Sequence, residues 1–255
     1  FSKKITNSPN DLGFEYSYGH SGSLDMPPYV YVENEKTTAK INRFTFAPKP
    51  YSWWRYGPTA SDFDHEEVTP NFFEKAKSFI KDAVKNNKSF FLYLPLPSPH
   101  TPILPLKKWQ GKSGLNSYAD FVMQIDNHIG ELDNLLEELK ISNNTIVIFT
   151  SDNGCSPEAN FNLLSEKGHH PSGKFKGHKA DIFEGGHRVP FIIKWPKKIQ
   201  PGSSSDKTIC TTDFMATCAE ILNIKLDQNE GVDSFSMVPL FSKETHDNYK
   251  RSYTI

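Results

Sequence analysis

The chain reads as an α/β sandwich built on a largely parallel sheet, and three features lead there. Unbroken apolar runs, "FFLYL" at 90–94, "TIVIF" at 145–149 and "FIIKW" at 191–195, have the length and composition of strands covered on both faces. Helical periodicities stand between and after them. Each run gives way to a loop rich in Gly, Pro or His, the usual break between alternating elements.

In chain order, residues 1–68 are rich in Gly, Pro and Tyr, and read as long surface loops with short strands. Thr69 before Pro70 predicts a helix start, with threonine as cap and proline in the first turn. Phe72, Phe73, Ala76, Phe79, Ile80 and Ala83 continue that helix as far as "KNNK". After the strand at 90–94 comes the loop "PLPSPHTPILP". Val122, Ile125, Ile129, Leu132, Leu136 and Leu139 then step by three or four and predict a second amphipathic helix. Asn143–Asn144 ends it, the strands 145–149 and 191–195 follow, and "DFMATCAEIL" predicts a short helix.

Composition narrows the function. With 255 residues, 36% hydrophobic and 13% aromatic, the chain can fill a sizeable core. A net charge of −1 and a pI near 6.8, with no like-charge block, argue against nucleic acid or an anionic membrane as the main partner. No segment is long and apolar enough for a membrane span. The three cysteines, Cys155, Cys210 and Cys218, have neither disulfide-framework nor zinc-ribbon spacing.

In open α/β sheets ligands gather outside the carboxyl ends of strands. His100 follows the first apolar run, and Asp152 with Asn153 follows the second. A carboxylate beside a carboxamide suits Ca²⁺ or Mg²⁺; the same Asp-Asn-Gly is also ordinary turn chemistry. The segment "KGHHPSGKFKGHKADIFEGGHR" crowds Lys174, Lys176, His178, Lys179, His187 and Arg188 among glycines. It reads either as an anion-binding loop or as a solvated basic one. Its histidines, His169, His170, His178 and His187, have no recognised metal-ligand spacing. His20, His65, His128 and His246 read as surface or internally satisfied side chains. Trp53, Trp54 and Tyr56 suit either stacking on a sugar or aryl ring, or the core.

Taken together, "LPSPHTPILP", "VIFTSDNG", "GHKADIFEGGHRVPFIIKWP" and "TDFMATCAEIL" resemble the sulfatase family of the alkaline-phosphatase-like superfamily. "GFEYSYGHSGSLDMPPYVYVEN" near the start is similar to arylsulfatase-like members. The resemblance implies an alkaline-phosphatase-like three-layer sandwich, incomplete at both ends. Residues 1–255 would form a partial catalytic domain, without the N-terminal nucleophile region and the small C-terminal antiparallel sheet. It implies Asp152 and Asn153 as Ca²⁺ ligands (Mg²⁺ as the alternative) and His100 as the contact to the sulfate or leaving-group oxygen. Lys179 would be the sulfate-binding lysine, His178 a neighbour of the substrate, and Glu184 with Arg188 an ion pair that holds the loop. A formylglycine made from a cysteine in C-x-P-S-R is expected in the full-length parent. "CSPEA" around Cys155 departs from that motif, so its cysteine is not in this chain.

The implied activity is hydrolysis of a sulfate monoester, by preference on a saccharide, by an exported protein: periplasmic, extracellular or lysosomal. A phosphodiesterase or phosphatase of the same superfamily and a non-catalytic binder of sulfated glycans are the alternatives. The sequence says nothing of oligomeric state.

Overall fold

A computed structural model describes residues 5–254. These fall into two compact units. One holds the residues up to Leu139 together with Thr150–Pro190, and the other holds Lys140–Phe149 with the residues from Phe191 onward.

In the first unit, strands β1 (Tyr18–His20), β2 (Tyr31–Glu33) and β3 (Lys36–Thr37) form an antiparallel sheet. Strands β4 (Ile41–Ala47) and β5 (Trp54–Ala60) form a bulged antiparallel hairpin. Two helices follow, α1 (Val68–Lys85) and α2 (Ser117–Glu138). Strand β6 (Val147–Thr150) leads into two short helices, α3 (Phe161–Glu166) and α4 (Glu184–His187). In the second unit β6 pairs with β7 (Phe191–Lys194), and helix α5 (Phe214–Ile221) comes after them.

The α/β class holds, and the runs at 145–149 and 191–195 are strands that pair with one another. The run at 90–94 is not a strand, and the ladders form three separate small sheets rather than one. The two sheets of residues 18–60, whose registers are defined, are antiparallel. An apolar run reports burial, but a strand also needs a neighbour at hydrogen-bonding distance. Among the described residues the backbone at 90–94 has no such ladder. Its side chains still alternate. Phe91 and Tyr93 are each 68% exposed, while Leu94 and Leu96 pack on the core of Leu24, Tyr29, Tyr31, Phe63 and Phe72.

Helix α1 starts two residues earlier than the Thr69–Pro70 signal suggests, with Glu67 at its cap. The Thr69 hydroxyl is committed elsewhere: it donates to Ser98 Oγ at 3.0 Å and ties the helix to the loop that carries His100. Helix α2 buries a face rotated from the expected stripe. Val122 is exposed, and Asp120, Gln124 and His128 are buried beside Phe121, Ile125, Leu135 and Leu136. Asp120 and Gln124 are inside because the loop above them has backbone donors to satisfy, while His128 Nδ1 lies 3.2 Å from Glu131 Oε2. Asp120 accepts from Gly111 N (2.7 Å) and Ser113 N (2.8 Å), and Gln124 Oε1 accepts from Leu106 N (2.8 Å).

In the second unit the buried Asp213 receives Arg251 Nη1 at 2.6 Å and the backbone amides of Cys210 and Phe235. This places the C-terminal segment against the start of α5.

The core histidines decide one property. His65 lies flat on Trp54 (centroids 3.9 Å apart, planes 14°) and is 5% exposed. Burial pushes its pKa down to about 4. The unfolded chain takes up this proton near pH 6.5 and the folded chain does not, so stability falls as pH drops from about 6.5 to 4, by on the order of 3 kcal/mol. Urea unfolding at pH 7 and pH 4.5 measures this loss. His65→Phe should flatten part of the slope, with half-buried His20, lowered in the same direction by its desolvation, accounting for a further part. An unchanged slope in His65→Phe would overturn the assignment.

Candidate functional site

The turn after β6 and the loop from Lys176 to Arg188 are joined through their main chains. Gly154 N donates to Gly186 O at 2.8 Å, and Lys179 N donates to Cys155 O at 2.9 Å. Inside the loop Gly185 N donates to Lys176 O at 2.8 Å. The contact is too close for side chains. A Cβ on Gly154 would sit 1.8 Å from Gly185 O, and one on Gly185 would sit 2.2 Å from Gly177 O. Glycine is required here because backbone meets backbone. The result is a clasp that holds Asp152 and Asn153 on one side, and His178 and Lys179 on the other.

Within it, His178 Nδ1–H donates to Lys179 O at 2.8 Å, and its ring meets Phe161 edge-on at 5.8 Å. Asp181 Oδ2 accepts from His178 N at 3.0 Å. Ala180, next to Lys179, holds φ +72°, a conformation an L-residue keeps only where its surroundings enforce it. Arg188 Nη1 lies 2.7 Å from Glu184 Oε2, the expected ion pair, and holds that carboxyl below its usual range. Arg188 also covers the Phe175 ring at 4.6 Å, and Lys176 Nζ sits 3.9 Å from the Phe183 centroid. Several cations of the loop are thus engaged with aromatic faces. The Lys179 ammonium has no ion-pair partner among the described residues.

His100 sits on a different loop and is exposed. Its Nδ1–H donates to Thr101 O at 2.6 Å, which fixes the tautomer and leaves Nε2 as the reactive nitrogen. Among the described residues no hydrogen bond or ion pair joins His100 to the clasp; both rest on α2. Gln124 holds the His100 loop through Leu106 N. Asn116 Nδ2 donates to Ala159 O at 2.8 Å, and the Tyr118 hydroxyl hydrogen-bonds Cys155, so the same helix holds the segment after Asn153. Tyr118 and Gln124 lie about 9 Å apart along the helix axis. Sequence reasoning missed these supports. The signal it passed over was polar residues at i, i+4 and i+8 within an amphipathic helix: Asp120, Gln124 and His128.

The donor set suits a hard cation. The Asp152 carboxylate is exposed, and Asn153 donates its Nδ2–H to Gly154 O at 3.0 Å, leaving Oδ1 for a ligand. Two oxygens are part of the roughly six to eight that Ca²⁺ takes. No third His, Cys, Asp or Glu among the described residues completes a cluster. Cys155 is held by Tyr118, and burial pushes its thiol pKa up, so it is a poor nucleophile.

The sulfatase family model matches residues 4–224, most of the chain. The chain belongs to the sulfatase family. It is 29% identical over 271 residues to an N-acetylgalactosamine-6-O-sulfatase of Bacteroides thetaiotaomicron, covering 92% of this chain and 52% of that protein. To human steryl-sulfatase it is 33% identical over 180 residues, covering 69% of this chain and 30% of that one. A solved chain described in connection with glycosaminoglycan metabolism by B. thetaiotaomicron superposes with a TM-score of 0.84 at 28% identity, over 94% of this chain and 57% of that one. The fold is therefore the alkaline-phosphatase-like one of sulfatases, and this chain spans about half the length of the B. thetaiotaomicron relatives it matches. Among the described residues no helix is long and apolar enough to cross a membrane.

Proposed function

We propose that this chain is the central part of a sulfatase catalytic domain and that the full-length parent hydrolyses a sulfate monoester on a saccharide outside the cytoplasm. The clasp carries the reading, because it fixes a carboxylate–carboxamide pair and an unpaired lysine to the same piece of backbone. The saccharide assignment draws on the glycan sulfatases among its relatives, and the exported location on the family resemblance alone.

A sulfate monoester is anionic, and as the S–O bond breaks negative charge grows on the leaving oxygen. Lys179 supplies a compact positive charge for the sulfate oxygens. His100, in its imidazolium form, would keep its Nδ1–H on Thr101 O and give the Nε2 proton to the departing alcohol. His178 borders the same anion, and Glu184 with Arg188 keeps the loop in shape. Asp152 and Asn153 would hold Ca²⁺, or Mg²⁺ in its place, which when bound neutralises charge on the sulfate. The nucleophile, a formylglycine in this reading, lies outside these 255 residues.

The isolated chain should show no turnover of an aryl sulfate, whereas the full-length parent should turn over a 6-sulfated N-acetylhexosamine and leave the matching phosphate ester almost untouched. Turnover by the isolated chain would refute the assignment of the cysteines. Preference for the phosphate ester in the parent would favour a phosphatase, and binding without turnover a glycan-binding protein.

A further inference from the structure

We propose that the β4–β5 hairpin is a platform for a sulfated oligosaccharide chain, extending the site beyond the sugar that carries the scissile ester. This rests on the sulfatase reading above and names the form of its substrate.

The outer face of the hairpin exposes three large aromatic rings: Phe44 (59%), Phe46 (61%) and Tyr56 (68%). Phe44 and Tyr56 stack with centroids 5.2 Å apart and planes 16°, and Phe46 tilts toward them at 6.4 Å. The neighbouring Trp54 belongs instead to the core. It stacks on His65, and its Nε1–H donates to Thr45 Oγ1 at 3.3 Å. Within the motif "YSWWRYG", Trp54 therefore faces inward and Tyr56 outward. An outward, pre-stacked pair presents a flat apolar surface of the kind that covers the C–H face of a pyranose.

Charge selects the occupant. From Thr37 to Ser61 the chain carries Lys40, Arg43, Lys49 and Arg55 and no carboxylate, in a protein whose net charge is −1. Arg55 is paired with Asp25 at 2.8 Å and Arg43 donates from Nη2 to Phe63 O at 2.6 Å, which leaves Lys40 and Lys49 as exposed cations. Two copies of this face brought together would oppose like charges, which disfavours self-association. A chain of sulfated sugars satisfies rings and cations at once.

Continuity links the platform to the site. Ile103 N donates to Tyr51 O at 2.8 Å, so the turn of the hairpin is bonded to the loop of His100, three positions away in sequence. A saccharide held with its ester at His100 has its next residues beside this turn.

The test is calorimetric titration of the chain with a 6-sulfated chondroitin hexasaccharide and with the corresponding sulfated monosaccharide. The hexasaccharide should bind about tenfold more tightly or better, and the double variant Phe44→Ser/Tyr56→Ser should remove that advantage while leaving monosaccharide affinity unchanged. Lys40→Ala/Lys49→Ala should weaken hexasaccharide binding and reduce its salt dependence. Both pairs are exposed, and thermal melts check that the fold is kept. The proposal falls if the folded aromatic variant binds the hexasaccharide like wild type, if the hexasaccharide does not bind, or if a single-stranded oligonucleotide binds the face more tightly. It also falls if the face proves to be a dimer interface broken by the same variant. Monosaccharide binding that depends on Lys179 with no hexasaccharide advantage would leave the sulfate site standing and remove the platform. The reverse pattern would do the opposite.

Discussion

Gly154→Ala should open the clasp. The new Cβ would lie 1.8 Å from Gly185 O and 3.1 Å from Gly186 Cα, and neither is the end of a side chain that can swing away. One of the two loops must withdraw, and the Gly154 N to Gly186 O bond goes with it. Overpacking of this kind costs about 1–3 kcal/mol and falls locally on the turn and the 176–188 loop. Hydrogen–deuterium exchange should show faster exchange at Gly154, Lys179 and Gly185, with the protection of α1 and α2 unchanged. Turnover in the full-length parent should fall with it, since Asp152 and Asn153, the proposed cation ligands, and Lys179 lose their fixed separation. Gly130→Ala provides the comparison. That glycine lies in the middle of α2 with nothing within 4 Å of its would-be Cβ, and alanine there should stabilise the helix by up to about 1 kcal/mol. Wild-type protection at Gly154 in the Gly154→Ala variant would show that the backbone contact is not what joins the loops.

Lys179→Ala should reduce kcat/KM for a sulfate ester in the full-length parent by about 10²–10³, the usual effect of removing a group aimed at developing charge. The melting temperature should hardly move, because no ion pair is broken. Lys176→Ala is the informative control. It removes an equal charge from the same loop, but one seated on Phe183 at 3.9 Å. Its effect on turnover should stay within a few-fold. Equal losses in both variants would mean that the loop acts only through its overall charge.

The order of the elements was legible because burial leaves a clear mark on composition. "TIVIF" and "FIIKW" announce strands, although neither is covered on both faces, since Phe149 is 37% and Ile192 61% exposed; the leucines of α2 announce a packed helix. Pairing leaves a weaker mark: "FFLYL" carries strand-like alternation, yet a ladder depends on a second segment that its own residues do not specify. The buried face of α2 was misjudged for a related reason. Asp120 and Gln124 look solvent-facing until the amides of Gly111, Ser113 and Leu106 are known to lie above them. At the site, residue types pointed to Asp152, Asn153, His100 and Lys179, while the link from Cys155 O to Lys179 N is a main-chain bond that no side chain announces.

That last bond has a consequence for how such a protein changes over generations. Since peptide groups and missing side chains fasten the two loops, the identities at 152, 153, 178 and 179 are not needed to keep the frame in register. The frame can therefore outlast a change of ion or of ester, and new specificities can be tried on it one residue at a time.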